Sequence, residues 1–145
     1  MNDATALAGP VHDGGCLCGA IRYRVVGDPV AVSICHCTNC QRNTGSAFSV
    51  NAIFPKDAMT VTGSPASFID KGDTGAGVER VFCGTCGTPL ESRSIMSSVA
   101  HVVIKAGTFD DPTVFVPDSE IYCKSAMPWW RQGEGRKCYE ALADF

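Results

Sequence analysis

The placement of cysteine constrains this chain more than any other feature: there are nine in 145 residues, and seven fall into three tight groups. The groups are Cys16-x-Cys18, Cys35-x-Cys37-x2-Cys40 and Cys83-x2-Cys86, while Cys123 and Cys138 stand alone. So many cysteines suggest a disulfide scaffold in a secreted protein. An odd number cannot pair completely, however, and Met1 to Gly15 holds no basic leader followed by an apolar stretch. Metal ligation explains the grouping, because isolated core cysteines have no reason to fall in pairs. The expectation is a soluble, unexported, cytoplasmic protein whose cysteines are metal ligands and not disulfide partners.

Spacing separates two kinds of site. In Cys83-Gly84-Thr85-Cys86-Gly87 the two thiolates can face one ion across a tight turn, and Gly87 tolerates the left-handed backbone such a turn requires. A structural zinc wants four ligands, so a second pair is needed, and Cys16-x-Cys18 can supply it. In an extended segment residues i and i+2 project to one side, leaving Leu17 to point away and pack. The run Cys35-His36-Cys37-Thr38-Asn39-Cys40 differs, since three protein ligands leave a fourth position for water or substrate. With Cys35 and Cys37 facing the ion, His36 points to the other face as a packed or hydrogen-bonding residue. A second structural site, completed by His36 or Cys123, is the alternative for this cluster.

Length and charge narrow the remaining classes. One domain suits 145 residues that are 45% hydrophobic, and a net charge of −3 supplies no field for phosphate backbones, which argues against nucleic acid as a partner. No run approaches the roughly 20 apolar residues that span a bilayer, so no membrane partner is expected. Short β-branched and aromatic segments between glycine, proline and aspartate predict an antiparallel β protein, with strands over 20–26, 30–35, 47–54, 59–62, 66–69, 78–82, 101–106 and 119–123. Single helical turns are expected at 38–43 and 93–99. The glycine-rich stretch 70–77 reads as an exposed, mobile loop, and residues 1–13 as a loosely ordered extension ahead of a single domain over 14–145.

Gly14-Gly15-Cys16-Leu17-Cys18-Gly19-Ala20-Ile21-Arg22-Tyr23, then Cys35-His36-Cys37-x2-Cys40 with Gly45-Ser46, then Phe82-Cys83-Gly84-Thr85-Cys86-Gly87-Thr88, resemble in order and spacing the glutathione-dependent formaldehyde-activating enzyme family. Ala106-Gly107-Thr108-Phe109-Asp110-Asp111-Pro112 and Pro128-Trp129 resemble its tail. The resemblance implies a mainly β fold similar to the Mss4-like β-tent, several coiled antiparallel sheets clamped by zinc. It implies two zinc ions per chain, one structural on Cys16, Cys18, Cys83 and Cys86 and one catalytic on Cys35, Cys37 and Cys40. The chemistry it implies is that of a carbon–sulfur lyase resembling S-(hydroxymethyl)glutathione synthase, acting on a thiol adduct or small aldehyde, with glutathione among the candidate substrates. The chain departs from the family where arginine often follows the third catalytic cysteine, here Gln41 then Arg42, and where histidine often precedes the isoleucine matched by Ile121, here Glu120.

Arg42, Asn39, Ser46 and Trp129 are the candidate substrate contacts. A thiol with carboxylates needs cations or polar donors near the metal. Thr44 is a further polar neighbour, and Trp130, Lys124 and Arg131 a further wall, with one tryptophan expected to pack. The alternatives are a non-catalytic zinc module that binds a protein, and a thiol redox enzyme using Cys123 or Cys138, which lacks a Cys-x2-Cys motif.

Overall fold

In the computed structural model, which describes residues 8–72, 75–96, 98–133 and 135–142, alternating side chains divide the strands between two sheets. In β2 (Arg22–Val26) Tyr23 and Val25 turn inward while Arg22 and Arg24 stay exposed, the period-2 pattern of a sheet with one wet face. It lies between β1 (Val11–Gly15) and β5 (Met59–Thr62), antiparallel to both. In the second sheet β3 (Ala31–Cys35) is buried at every residue, as a strand covered on both faces must be.

That sheet has eight strands. It contains β3, β4 (Ser49–Pro55), β6 (Ala66–Asp70), β7 (Val78–Phe82), β8 (Pro89–Ser94), β9 (His101–Lys105), β10 (Ser119–Ile121) and β11 (Lys137–Cys138), in the order β11-β10-β3-β4-β9-β8-β7-β6. Most pairs are antiparallel, but β10 runs parallel to both β3 and β11, which the expectation of purely antiparallel sheets did not include. Between the sheets Phe54, Phe109 and Phe115 stack with His12 and Tyr23, with Phe109 and Phe115 4.2 Å apart. Gly14 is required at this junction: a Cβ there would collide with the Tyr23 hydroxyl and come within 2.6 Å of the Thr108 carbonyl oxygen.

The expected strands correspond to observed ones with shifted ends, and the turn expected at 38–43 is α1 (Thr38–Thr44). Of the helical turn expected at 93–99, the described residues show only an i→i+3 bond from the Val99 N–H to the Met96 carbonyl; 93 and 94 belong to β8, where pairing with β7 overrides local preference. Of the N-terminal stretch 1–13, residues 1–7 lie outside the described set and Val11, His12 and Asp13 open β1. The 70–77 stretch links β6 to β7; residues 73 and 74 lie outside the described set, and Gly77 is buried and donates to the Lys71 carbonyl.

Candidate metal centres

The turn after β1 and the turn between β7 and β8 bring four sulfurs together. Those of Cys16, Cys18, Cys83 and Cys86 all lie within 4.8 Å of one another, with Cys16–Cys18 at 3.6 Å and Cys18–Cys83 at 3.7 Å. Backbone N–H groups of Ile21 and of Thr85 and Cys86 donate to Cys16 and Cys83. A hydrogen bond with the Thr88 hydroxyl pulls the Cys86 thiol down to about 5. Gly87 has φ +80°, as the knuckle requires. Leu17 does not pack: it is 89% exposed, because the short turn carries it past the sheet edge into solvent.

The three-sulfur set is built differently. β3 ends at Cys35, and Cys37 caps α1 by accepting the Cys40 N–H at 3.2 Å, which returns Cys40 to within 3.4 Å of Cys35. All three sulfurs lie within 4.8 Å, with Cys35 and Cys40 buried and Cys37 half-buried. Hydrogen bonding to Cys35 and then Cys37 pulls Cys40 down to about 2, and hydrogen bonding to Cys37 and Cys40 pushes Cys35 up. Sulfurs this close cannot all keep their protons in the ordinary way, a conflict a divalent cation relieves by taking them as thiolates. Both sets fit such an ion: tetrahedral zinc with bonds of about 2.3 Å places its sulfurs roughly 3.8 Å apart.

Two buried cations near the three-sulfur set were not anticipated. Lys105 is 6% exposed and donates to Ser49 Oγ at 2.8 Å and Asn51 Oδ1 at 3.4 Å. Burial lowers its pKa, and the charge of Cys40 opposes that. Arg80, 8% exposed, pairs with Asp70 at 2.7 Å. Burial acts to lower its pKa, but Asp70 and Cys40 raise it. The available signal was a charged residue amid the apolar residues of a strand, in His-Val-Val-Ile-Lys and Val-Glu-Arg-Val-Phe.

His36 is fully buried beside these cysteines, with Nε2 2.8 Å from Glu120 Oε1 and its ring against Phe48 and Trp130. Glu120, also fully buried, further accepts from Trp130 Nε1 at 2.7 Å and Arg136 Nε at 3.1 Å. Burial alone would raise its pKa; the three donors hold it below the ordinary value. Gln41 Nε2 donates to the carbonyls of His36 and Ser125. Gln41 and Glu120, the two departures from the resembled pattern, thus tie the loop together inside the protein. His36, Glu120 and Cys123 also approach one another within 4.8 Å, but the Cys123 sulfur is taken.

Cys123 and Cys138 form a disulfide, with Cα atoms 6.2 Å apart. This corrects the expectation that no cysteine pairs with another. The parallel pairing of β10 with β11 brings together residues 15 apart in sequence, a proximity that spacing alone does not reveal. Of the candidate substrate contacts, Asn39 and Arg42 line a cleft of about 310 Å³ with Asn43, Phe68, Asp70, Arg80 and Phe82. Ser46 and Trp129 are exposed and do not line it. Thr44 donates to the Cys40 carbonyl, closing the helix. Trp130 is the tryptophan that packs, 4.7 Å from Phe48 between ring centres. Arg131 bonds the carbonyls of Pro128 and Trp130, and Lys124 lies 6.0 Å from the Tyr122 ring.

Comparison with known proteins places this arrangement. An uncharacterized lyase of Schizosaccharomyces pombe is 31% identical over 81 residues, covering 56% of this chain and 56% of that protein. A protein of Halomonas elongata, provisionally named a glutathione-dependent formaldehyde-activating enzyme, is 32% identical over 84 residues, covering 54% of this chain and 53% of its own. The chain spans about half the length of the curated relatives it matches. A crystal structure of a Rhodobacter sphaeroides protein superposes with a TM-score of 0.52 at 20% identity, covering 68% of this chain and 87% of the other, a likeness of fold. The model of one family, described as glutathione-dependent formaldehyde-activating enzyme, matches residues 11–125, from the first strand past both cysteine clusters, and the chain belongs to that family.

Proposed function

We propose that this chain is a cytoplasmic zinc enzyme of carbon–sulfur lyase type, acting on a thiol adduct or small aldehyde in the manner of S-(hydroxymethyl)glutathione synthase, with two zinc ions per chain. The observation that carries the reading is the contrast between the clusters. Four sulfurs close one set, whereas three form the other, beside the buried cations Lys105 and Arg80. When bound there, zinc would supply a coordination position for the substrate thiol and favour its deprotonation.

The chain's own residues do the rest. Cys35, Cys37 and Cys40 would hold the metal, and Cys16, Cys18, Cys83 and Cys86 would clamp the two sheets with the other ion. Lys105, which has no carboxylate partner among the described residues, would offset part of the negative charge that a further thiolate adds to three others, at a site where low polarity magnifies it, whereas Arg80 is already paired with Asp70. His36, held by Glu120, fixes the loop between Cys35 and Cys37. The substrate sulfur then donates its electron pair to the carbonyl carbon, the C=O π pair moves to oxygen, and that oxygen takes up a proton equivalent to the one the thiol released. The reverse sequence cleaves the adduct.

Exchange NMR with ¹³C-formaldehyde and glutathione tests this. The zinc-loaded chain should accelerate exchange between free aldehyde and S-hydroxymethyl adduct, and Cys40→Ser should abolish the acceleration. Exchange no faster than without protein, in a chain carrying both zincs, would refute the activity and leave the non-catalytic zinc module that binds a protein.

A further inference from the structure

A cavity of about 280 Å³ lies in the seam between the two sheets, walled by Tyr23 from β2, Met59 and Val61 from β5 and Val81 from β7. Side chains alternate along a strand, so Glu79 and Val81 face this seam whereas Arg80 and Phe82 face the cleft beside α1. The two spaces lie on opposite faces of β7 and share no lining residue. A carboxylate is buried in the wall because β8 carries an extra residue. β7 and β8 pair in step from Val78–Ser94 to Val81–Glu91 and then slip, with Phe82 opposite Pro89. Such a bulge re-aims the side chains beside it, and Leu90 and Glu91, adjacent in sequence, both line the cavity. Glu91 is 3% exposed. Arg93 donates to its Oε1 from Nε at 2.8 Å and from Nη2, but Oε2 is buried with no hydrogen-bond partner among the described residues.

The charge around this cavity does not balance. Two carboxylates line it against one guanidinium, and that guanidinium is committed to Glu91 Oε1. Glu79 stands opposite Arg93 in register, yet its side chain makes no hydrogen bond or ion pair among the described residues. Burial raises the pKa of Glu91, and Glu79 adds to that rise against the pull of Arg93, the behaviour of a charge with too few partners. We infer that the seam is a second ligand site, for a small primary amine in its ammonium form, whose N–H groups donate to Glu91 and Glu79 while its hydrocarbon body fills the space between the sheets. The wall selects this class. About 280 Å³ is at the small end of ligand cavities, which begin near roughly 300 Å³, so the body is a ring or a short chain. A hard metal ion wants about six oxygens, which two carboxylates in an apolar wall cannot supply. A quaternary ammonium has no N–H to give, and Tyr23, the one aromatic ring in the wall, makes no cage for it. The site needs neither zinc nor thiol and stands apart from the activity proposed above.

Amide NMR on the ¹⁵N-labelled, zinc-loaded full chain tests this, with benzylammonium, benzyl alcohol and benzoate as cationic, neutral and anionic probes of one shape. Benzylammonium should shift the amides of Val61, Val81 and Leu90 and bind about tenfold more tightly than the alcohol, as expected for one charge-assisted hydrogen bond, with benzoate weakest. Benzyltrimethylammonium, which keeps the charge and lacks the donors, should bind no better than the alcohol. Glu91→Gln preserves the shape of the side chain and should bring the cation-to-neutral ratio near one, and Glu79→Gln, at a half-buried residue, should lower it in part. No shift at the cavity with any probe, equal affinity for the cation and the alcohol, a cation preference that survives Glu91→Gln, or shifts confined to the residues around Cys35 and Cys40 would each overturn the assignment. Should Glu91→Gln fail to fold, an undiminished preference in Glu79→Gln overturns it in the same way.

Discussion

Cys83→Ser and Cys40→Ser should differ in stability because their clusters close loops of very different length. Cys18 and Cys83 are 65 residues apart, whereas Cys35 and Cys40 are 5 apart. In the unfolded chain a Cys-x-Cys-x2-Cys run can keep a metal without ordering much backbone, and binding common to both states adds nothing to folding stability. The distant pair must first close its loop. With a closure cost of (3/2)RT ln n, loops of 65 and 5 residues differ by about 2 kcal/mol. That much more of the four-sulfur site's binding energy is folding energy. At fixed free zinc, Cys83→Ser should therefore lose about 2 kcal/mol more than Cys40→Ser, roughly 6 °C in melting midpoint for a chain of this length. Urea unfolding followed by circular dichroism and tryptophan fluorescence measures it, provided the two transitions coincide. Equal losses, or the larger loss in Cys40→Ser, would refute the loop argument and make the second cluster a clamp as well.

Three further outcomes are expected. Glu120→Ala strands the buried donors of His36 and Trp130 and the Arg136 guanidinium and should cost about 3–5 kcal/mol in urea unfolding; a loss below 1 kcal/mol would contradict the network's role. Burial raises the pKa of Glu91 above its ordinary 4.5 despite Arg93, so its contribution to stability is full below pH 4.5 and declines as pH rises through the folded value. Glu91→Gln should flatten that decline in a pH series of melting temperatures, and an unchanged slope would count against it. Cys123→Ser should cost about 3 kcal/mol, since the disulfide closes a loop of 15 residues. Reduction by dithiothreitol should match that loss with zinc content unchanged by atomic absorption; loss of zinc on reduction would show that the bond supports a metal centre.

The cysteine groups carried most of what sequence could determine, because their geometry is local. Cys35, Cys37 and Cys40 meet through one strand end and one helical turn, and Cys83 and Cys86 through a knuckle ended by Gly87, so spacing alone fixes which sulfurs can share an ion. Strands such as β7 and β9 were legible for the same reason, since β-branched residues between turn formers state their own preference. β1 and β8 were not: Val-His-Asp-Gly-Gly and Pro-Leu-Glu-Ser-Arg-Ser have little strand propensity and become strands only because neighbours leave their backbone groups no other partners. The same holds for contacts between distant segments. The Cys123–Cys138 bond, the burial of Glu120 under His36, Trp130 and Arg136, and the approach of Lys105 and Arg80 to Cys40 depend on strand order and register. Sequence determined the ligands a metal would find, and the tertiary structure decided the charge around them, because electrostatic neighbours are set by distance in space and burial, which no local pattern encodes.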